Sequence, residues 1–284
     1  AKGISAAQER LGMTQSNIST LILELEGRLG VTLCERGRGG FRLTAEGEQV
    51  YATTGELQAD LSIYRDRLQS IGSGLKGKLS LGHMDSYLGH PENPLVEALS
   101  TLTREAPGIE LALCTAPLEE LETGVAKGDL QLAIGTFNQK LDGLQYQHLH
   151  NEAQGLFCSS GHPLANTEHE LTVDEVKTAG YAAGLFGYGK ESSLLQNRVA
   201  TVHQIESMLV FLLTARGIGG LPVHVAAPYV ARGQLVQLMP QTFSMELPVS
   251  IVLREQSLSS PLVTRCLGLL GATEIQGKQR YLTT

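Results

Sequence analysis

The 284-residue sequence predicts an α/β protein with an all-α, winged N-terminal head. A winged helix-turn-helix leads into a long linker helix, and that into a bilobed α/β body. Three observations carry this reading: two short helical patterns broken at Gly12, a 4-3 apolar repeat from Val50 to Ile71, and alternating strands and helices beyond Gly74. The length suffices for one small and one larger, bilobed domain with their own cores. Expected boundaries are 1–44 for the head, 45–74 for the linker helix and 75–275 for the body. Within the body, lobe I takes about 75–160 and 244–275, and lobe II about 161–243.

In the head, Ser5 is expected to cap a first helix with Gln8 at the reciprocal position, and Thr14 to cap a second. Ile18, Leu21, Ile22 and Leu25 form the apolar face of that second helix, which leaves Gln15, Ser16, Asn17 and Ser19 at its N-terminal turns. These are residues suited to a major groove, where Gln and Asn pair bidentately with adenine and hydroxyls reach bases or phosphates. Many helical hairpins share this outline without touching DNA, so the next segment matters. Val31–Arg36 and Phe41–Thr44 read as two short strands around a Gly/Arg tip, a hairpin that forms a wing. Between Arg28 and Arg42 lie four arginines (28, 36, 38, 42) against Glu35 alone, in a chain of net charge −7. Thr14, Ser19, Arg36 and Arg38 are therefore the phosphate-contact candidates, and Gln15 and Asn17 the base readers.

Thr44 caps the linker helix, and Glu46 in its first turn suits the helix dipole. Val50, Thr54, Leu57, Leu61, Tyr64, Leu68 and Ile71 keep a strict heptad spacing, where a stripe facing a globular core would drift toward 3.6. Val50, Leu57, Leu61, Tyr64 and Leu68 are the dimerisation residues on this reading, and a two-fold dimer implies a pseudo-palindromic DNA site. Gly72-Ser73-Gly74 is the expected joint. Residues 1–78 carry a net charge of +1 and the remainder −8, as befits a DNA-facing head on an acidic body.

The body reads as strand-helix-strand units that build a parallel sheet: strands at 78–82, 109–114 and 130–135, helices at 93–105 and 117–127. The chain is expected to cross to lobe II near Leu156–Pro163. There follow a helix at 173–178, extended segments at 181–186 and 194–199, a helix at 205–215 and a turn-strand at 219–223. Strands at 235–238 and 247–253 lead back to a final helix at 261–270. Ligands in such sheets sit outside the carboxyl ends of strands and between lobes. The loops in question are His83–Tyr87, Thr115–Pro117, Thr136–Asn138, Val202–Ile205 and Gly219–Pro222.

The head resembles that of the LysR-type transcriptional regulators. It shares their Ala-rich first helix (Ala6-Ala7-Gln8-Glu9-Arg10-Leu11), the recognition-helix pattern Thr14-Gln15-Ser16-Asn17-Ile18-Ser19, and Leu25-Glu26-Gly27-Arg28-Leu29-Gly30 running on to Arg36. Cys34 stands where the family usually has Phe, a smaller filler that loosens the wing's seat. The body adds Gly128-Asp129 before a strand, Gly161-His162-Pro163-Leu164, and Ala215 through Pro222. The resemblance implies a periplasmic-binding-protein-like effector domain that binds a small molecule, an organic acid suiting a helix N-terminus. Asp85 and Glu206 would repel a second carboxylate. By position it places effector contacts at Asp85, Ser86, Tyr87, Thr115, Thr136, Phe137, His203, Gln204 and Gly220. It further implies a homodimer that assembles into tetramers, double-stranded promoter DNA as partner, and no cofactor. The family has another helix ahead of the helix-turn-helix; without it, Leu11, Ile22 and Leu25 are expected to expose apolar area and weaken DNA binding.

Enzyme signatures are weak. Gly187-Tyr188-Gly189-Lys190 is too short for a phosphate loop, and His83, Asp85 and Ser86 sit too close in sequence to converge as a hydrolytic triad. Metal-ligand spacing is confined to His148-x-His150, read as an exposed strand. Four scattered cysteines suit reduced thiols in the cytoplasm, and no apolar run is long enough for a membrane span. The alternative is a solute-binding or catalytic bilobed protein whose head serves only to oligomerise.

Overall fold

The computed structural model describes residues 4–37, 40–137, 140–184 and 195–271. The chain forms two compact units, which divide within the long helix between Ser62 and Ile63. In the head unit, α1 (Ile4–Leu11) and α2 (Gln15–Leu29) are separated by a turn at Gly12. Because α1 already includes Ile4, Ser5 lies inside the helix and not at its cap. Thr14 does cap α2: its backbone is extended and its side chain accepts the Asn17 amide. Gly30 ends the helix at φ 71°, a left-handed conformation that glycine adopts without strain.

The wing is β1 (Cys34–Gly37) paired antiparallel with β2 (Gly40–Leu43), Glu35 opposite Arg42. The helix α3 (Ala45–Ser73) follows. Thr44 serves both neighbours, its hydroxyl accepting the Gly47 amide at 2.9 Å and donating to the Thr32 carbonyl at 2.6 Å. Since α3 runs through Ser73, the expected three-residue joint shrinks to Gly74, at φ 80°.

The body begins with β3 (Gly77–His83), α4 (Leu95–Glu105), β4 (Ile109–Thr115), α5 (Leu118–Ala126) and β5 (Leu132–Gly135). β3 runs parallel to both β4 and β5. Next come β6 (Leu144–Ser159), α6 (Val173–Thr178), β7 (Gly180–Ala183), β8 (Asn197–Thr201) and α7 (Ile205–Leu213). β9 (Ile218–Pro222), α8 (Val223–Ala231), β10 (Leu235–Gln237), β11 (Ser244–Arg254) and α9 (Pro261–Leu269) complete it.

The strands order as β4-β3-β5-β11-β6-β9-β7-β8, with β10 on β6. The sheet is mixed, which corrects the purely parallel expectation. Each lobe keeps a parallel set, but β6 and β11 run antiparallel to each other between them. One carries the chain out of lobe I and the other brings it back, so they must point in opposite senses. The crossing itself belongs to β6: Leu144–Gly155 pairs with β11, and Gln154–Ser159 pairs with β9 and β10. Side-chain alternation then divides the core of lobe II. Phe157 packs with Ile205, Met208 and Leu221, while Leu156 and Cys158 pack with Val176, Ile218 and Phe243. Lobe I packs Leu79, Leu81, Leu102, Ile251 and Val263 on one side of its sheet, and Leu121, Val125 and Val252 on the other.

Two further expectations change. A register shift at Val249/Ser250 leaves Leu149 as the extra residue opposite β11. It breaks the two-residue alternation, so His148 is exposed while His150 is buried, and the two imidazoles do not share a face. The expected turn-strand ends one residue early, Val223 opening α8, and residues 224–231, for which the sequence pattern gives no element, continue that helix with Pro228 inside it. Phe186, Leu194, Asn138 and the Gly187–Lys190 loop lie outside the described residues.

Candidate functional sites

In the head, Gln15, Ser16 and Asn17 are exposed at the first turn of α2, Ile18 is buried and Ser19 half-buried. Sequence reading missed how the wing is held. Glu26, one turn before the end of α2, accepts the amides of Leu33 at 2.7 Å and Cys34 at 3.3 Å, and both of those residues are buried. The Leu-Glu pair at 25–26 was visible as a motif, but its acceptor role needs the fold. Arg42 is bonded to Glu35 across the hairpin at 2.7 Å, so its charge is spent within the wing. Arg28 is exposed in the last turn of α2. Arg36 lies opposite Phe41 on β1; its side chain, and Arg38 entirely, lie outside the described residues. Leu11 and Leu25 are exposed and Ile22 half-buried.

In the body, a cleft of about 390 Å³ lies between the lobes, lined by Met84, Asp85, Thr115–Leu118 and His203–Glu206. Of the nine expected effector residues, it gathers Asp85, Thr115, His203 and Gln204. Ser86 sits beside it with φ 59° and its hydroxyl toward Asp85 at 3.5 Å. The other four do not line it. Tyr87 is fully buried in the core of lobe I, Gly220 pairs with Leu156 inside the sheet, and Thr136 and Phe137 are buried, Phe137 edge-on to Tyr146. Loop position marks strand ends but not which way a side chain turns, which accounts for Tyr87, Thr136 and Phe137, whereas Gly220 lies in the middle of β9 and not at its end.

Two helix N-termini open on this cleft, α5 at Leu118 and α7 at Ile205. Gln204 at the cap of α7 makes no side-chain capping bond. The N–H groups of a helix's first turn and the helix dipole favour a bound anion there, while Asp85 and Glu206 favour a donor or cation. His83 donates from Nδ1 to the Met84 carbonyl at 2.9 Å, which leaves Nε2 to accept the Thr115 hydroxyl at 3.4 Å.

A third group lies where lobe I, β6 and α8 meet. His150, Glu152 and Gln154 alternate along one face of β6 and all three are buried. Gln154 Nε2 donates to Glu152 Oε2 at 2.6 Å, and burial pushes the Glu152 carboxyl up to about 7. Burial likewise lowers His90, His150 and His224 below the usual histidine value. His90 stacks on His150 with ring centres 4.1 Å apart and meets His224 edge-on at 5.1 Å. This polar row with period two was legible at 150–154, but the convergence of His90 and His224 on it was not. Elsewhere, burial raises the Cys158 thiol to about 11, which keeps it protonated and unreactive at neutral pH.

A winged helix-turn-helix, a long exposed helix and a two-lobed ligand-binding body together define a ligand-responsive DNA-binding regulator. The chain belongs to the LysR family of transcriptional regulators: residues 1–48 match the bacterial regulatory helix-turn-helix protein of the lysR family, and residues 72–273 the LysR substrate binding domain. It is 35% identical over 255 residues to the transcriptional activator BauR of Pseudomonas aeruginosa, covering 88% of this chain and 84% of that one. It is 26% identical over 209 residues to the regulator GbpR of Azospirillum brasilense, covering 73% and 59%. Among solved structures, a full-length OxyR variant from P. aeruginosa has TM-score 0.67 at 18% identity, covering 97% of this chain and 94% of that one. Full-length CbnR in complex with its target DNA has TM-score 0.61 at 17% identity, covering 94% and 93%. These structures share the fold. The family assignment does not favour the solute-binding or catalytic alternative. No helix among the described residues is long and apolar enough to cross a membrane.

Proposed function

We propose that this regulator binds a pseudo-palindromic promoter as a homodimer that pairs into tetramers, working in the cytoplasm without catalysing a reaction. Thr14, Gln15, Ser16, Asn17 and Ser19, with Arg36 and Arg38 of the wing, meet the DNA. Val50, Leu57, Leu61, Tyr64 and Leu68 form the dimer seam. The effector occupies the cleft at Asp85, Thr115, His203 and Gln204. It carries one carboxylate for the helix N-termini and a donor or cationic group for Asp85 and Glu206.

The observation that carries the reading is the Thr14-capped first turn of α2, which leaves Gln15, Ser16 and Asn17 open beside a wing fastened through Glu26. The DNA in the CbnR structure and the arginine bound to LysG from Corynebacterium glutamicum lend support by kinship.

Fluorescence anisotropy against the DNA upstream of the protein's own gene, with random competitor and a salt series, tests this. Gln15→Ala and Asn17→Ala should each cost about 1–3 kcal/mol of discrimination while random-DNA affinity stays the same. Arg36→Ala should weaken every sequence alike and reduce the salt slope by about one. If Gln15→Ala weakened specific and random DNA equally, base readout would not belong to this turn.

A further inference from the structure

We propose that His90, Glu152 and His224 form a binding site for a divalent transition metal of the zinc class, tying a loop of lobe I to the first turn of α8 in lobe II. One nitrogen from each histidine and one carboxylate oxygen lie within 4.8 Å of one another. Two imidazoles and a carboxylate are a donor set that zinc-class ions accept, with a position left over for water. None of the three lines the effector cleft, so the proposal does not depend on the effector reading.

The surroundings hold two of these ligands ready. His224 Nε2 is 3.2 Å from the Ser86 carbonyl. A carbonyl can only accept, so the proton sits on Nε2 and the bare Nδ1 faces Glu152 Oε1 at 3.9 Å. With the carboxylate ionised, both of those atoms are acceptors, at a spacing an ion can bridge. Metal–ligand bonds of about 2.0–2.2 Å put two ligand atoms on one ion roughly 3–4 Å apart. Gln154 holds the other oxygen of Glu152 at 2.6 Å, and the stacked His150 ring fixes the plane of His90. Such outer contacts are what orient ligands in metal sites. His90 is the one that must rearrange, since its Nδ1 accepts the exposed Glu92 amide at 3.2 Å and its ring also bonds the Asn151 backbone, so one of these contacts must give way to the ion. An ion here would join three separate segments, and the Ser86 carbonyl on His224 would connect it to the edge of the cleft. Occupancy would thereby bias how the lobes meet.

The test is zinc titration of the chelator-stripped full-length chain by calorimetry, with cobalt(II) as a spectroscopic probe. The expected result is one ion per chain and cobalt ligand-field bands of a nitrogen- and oxygen-ligated ion. Glu152→Gln and His224→Ala should lower affinity at least about tenfold, and His169→Ala, on the surface of lobe II, should leave it unchanged. Circular dichroism checks that the variants fold, and His90→Gln, in a loop, supplies a third ligand deletion should a buried substitution fail to fold. Absence of zinc binding by the parent chain would overturn the proposal. So would binding unchanged by the ligand substitutions, or binding abolished by His169→Ala.

Discussion

At residue scale, the head depends on a few backbone contacts that no composition rule reveals. Gly47 lies in the first turn of α3, and a methyl group built there would fall on the Leu33 carbonyl. That carbonyl also accepts the Thr44 amide at 3.0 Å and belongs to the residue whose own amide is held by Glu26. Gly47→Ala must therefore push apart the wing and the start of α3, at roughly 1–3 kcal/mol by analogy with overpacked cores. The expected outcome is a lower melting temperature for the head and weaker promoter binding, with ligand binding by the body unchanged; an unaltered melt would show that the contact can relax. The capping residue Thr14 was legible because its chemistry is local. Glu26 was not, since its partners Leu33 and Cys34 come within reach only once the chain has turned at Gly30.

At element scale, periodicity located nearly every helix and strand, and failed where a residue's surroundings come from distant chain. α3 followed from its heptads and β3, β4 and β5 from short apolar runs. β6 was legible only around His148–Gln154, not as one long strand, because its first half, Gln145–Gln154, is polar and is covered by distant chain: β11, about a hundred positions on, and the His90 and His224 rings. The Gly161–Leu164 segment shows local chemistry acting on stability. His162 is buried and caps the short turn Pro163–Ala165, its Nδ1 accepting the Leu164 amide at 3.2 Å. Burial lowers its pKa from 6.5, so between that value and the folded-state value the unfolded chain binds more protons. The contribution of His162 is thus complete above about pH 6.5 and falls as pH drops through the window below. His162→Asn keeps an acceptor at the cap and removes the titration. Denaturant melts at about pH 7 and pH 5 should show the variant losing less stability than the parent; equal losses would assign the acid sensitivity to other groups.

At the scale of the whole molecule, reading DNA and sensing a ligand fall to different parts of the chain, and on the proposed reading the seam of α3 makes one depend on the other. Leu57, Leu61, Tyr64 and Leu68 are 59, 55, 62 and 70% exposed in the single chain, an apolar stripe suited to a second copy. The residues that line the cleft, by contrast, lie outside that stripe. A ligand there changes DNA affinity only by its differential affinity for two subunit arrangements, commonly about 1–3 kcal/mol of coupling. A Leu57→Lys/Leu61→Lys variant buries two charges in the seam and should sediment as a monomer. It should keep the parent's affinity for the effector, because every lining residue remains, and lose most of its promoter affinity, because a single head reaches one half-site. Above all, adding effector should no longer change the promoter affinity that remains. Persistence of the full effector response in a verified monomer would mean that the coupling runs within one chain, from cleft to recognition helix, and that the seam only sets spacing.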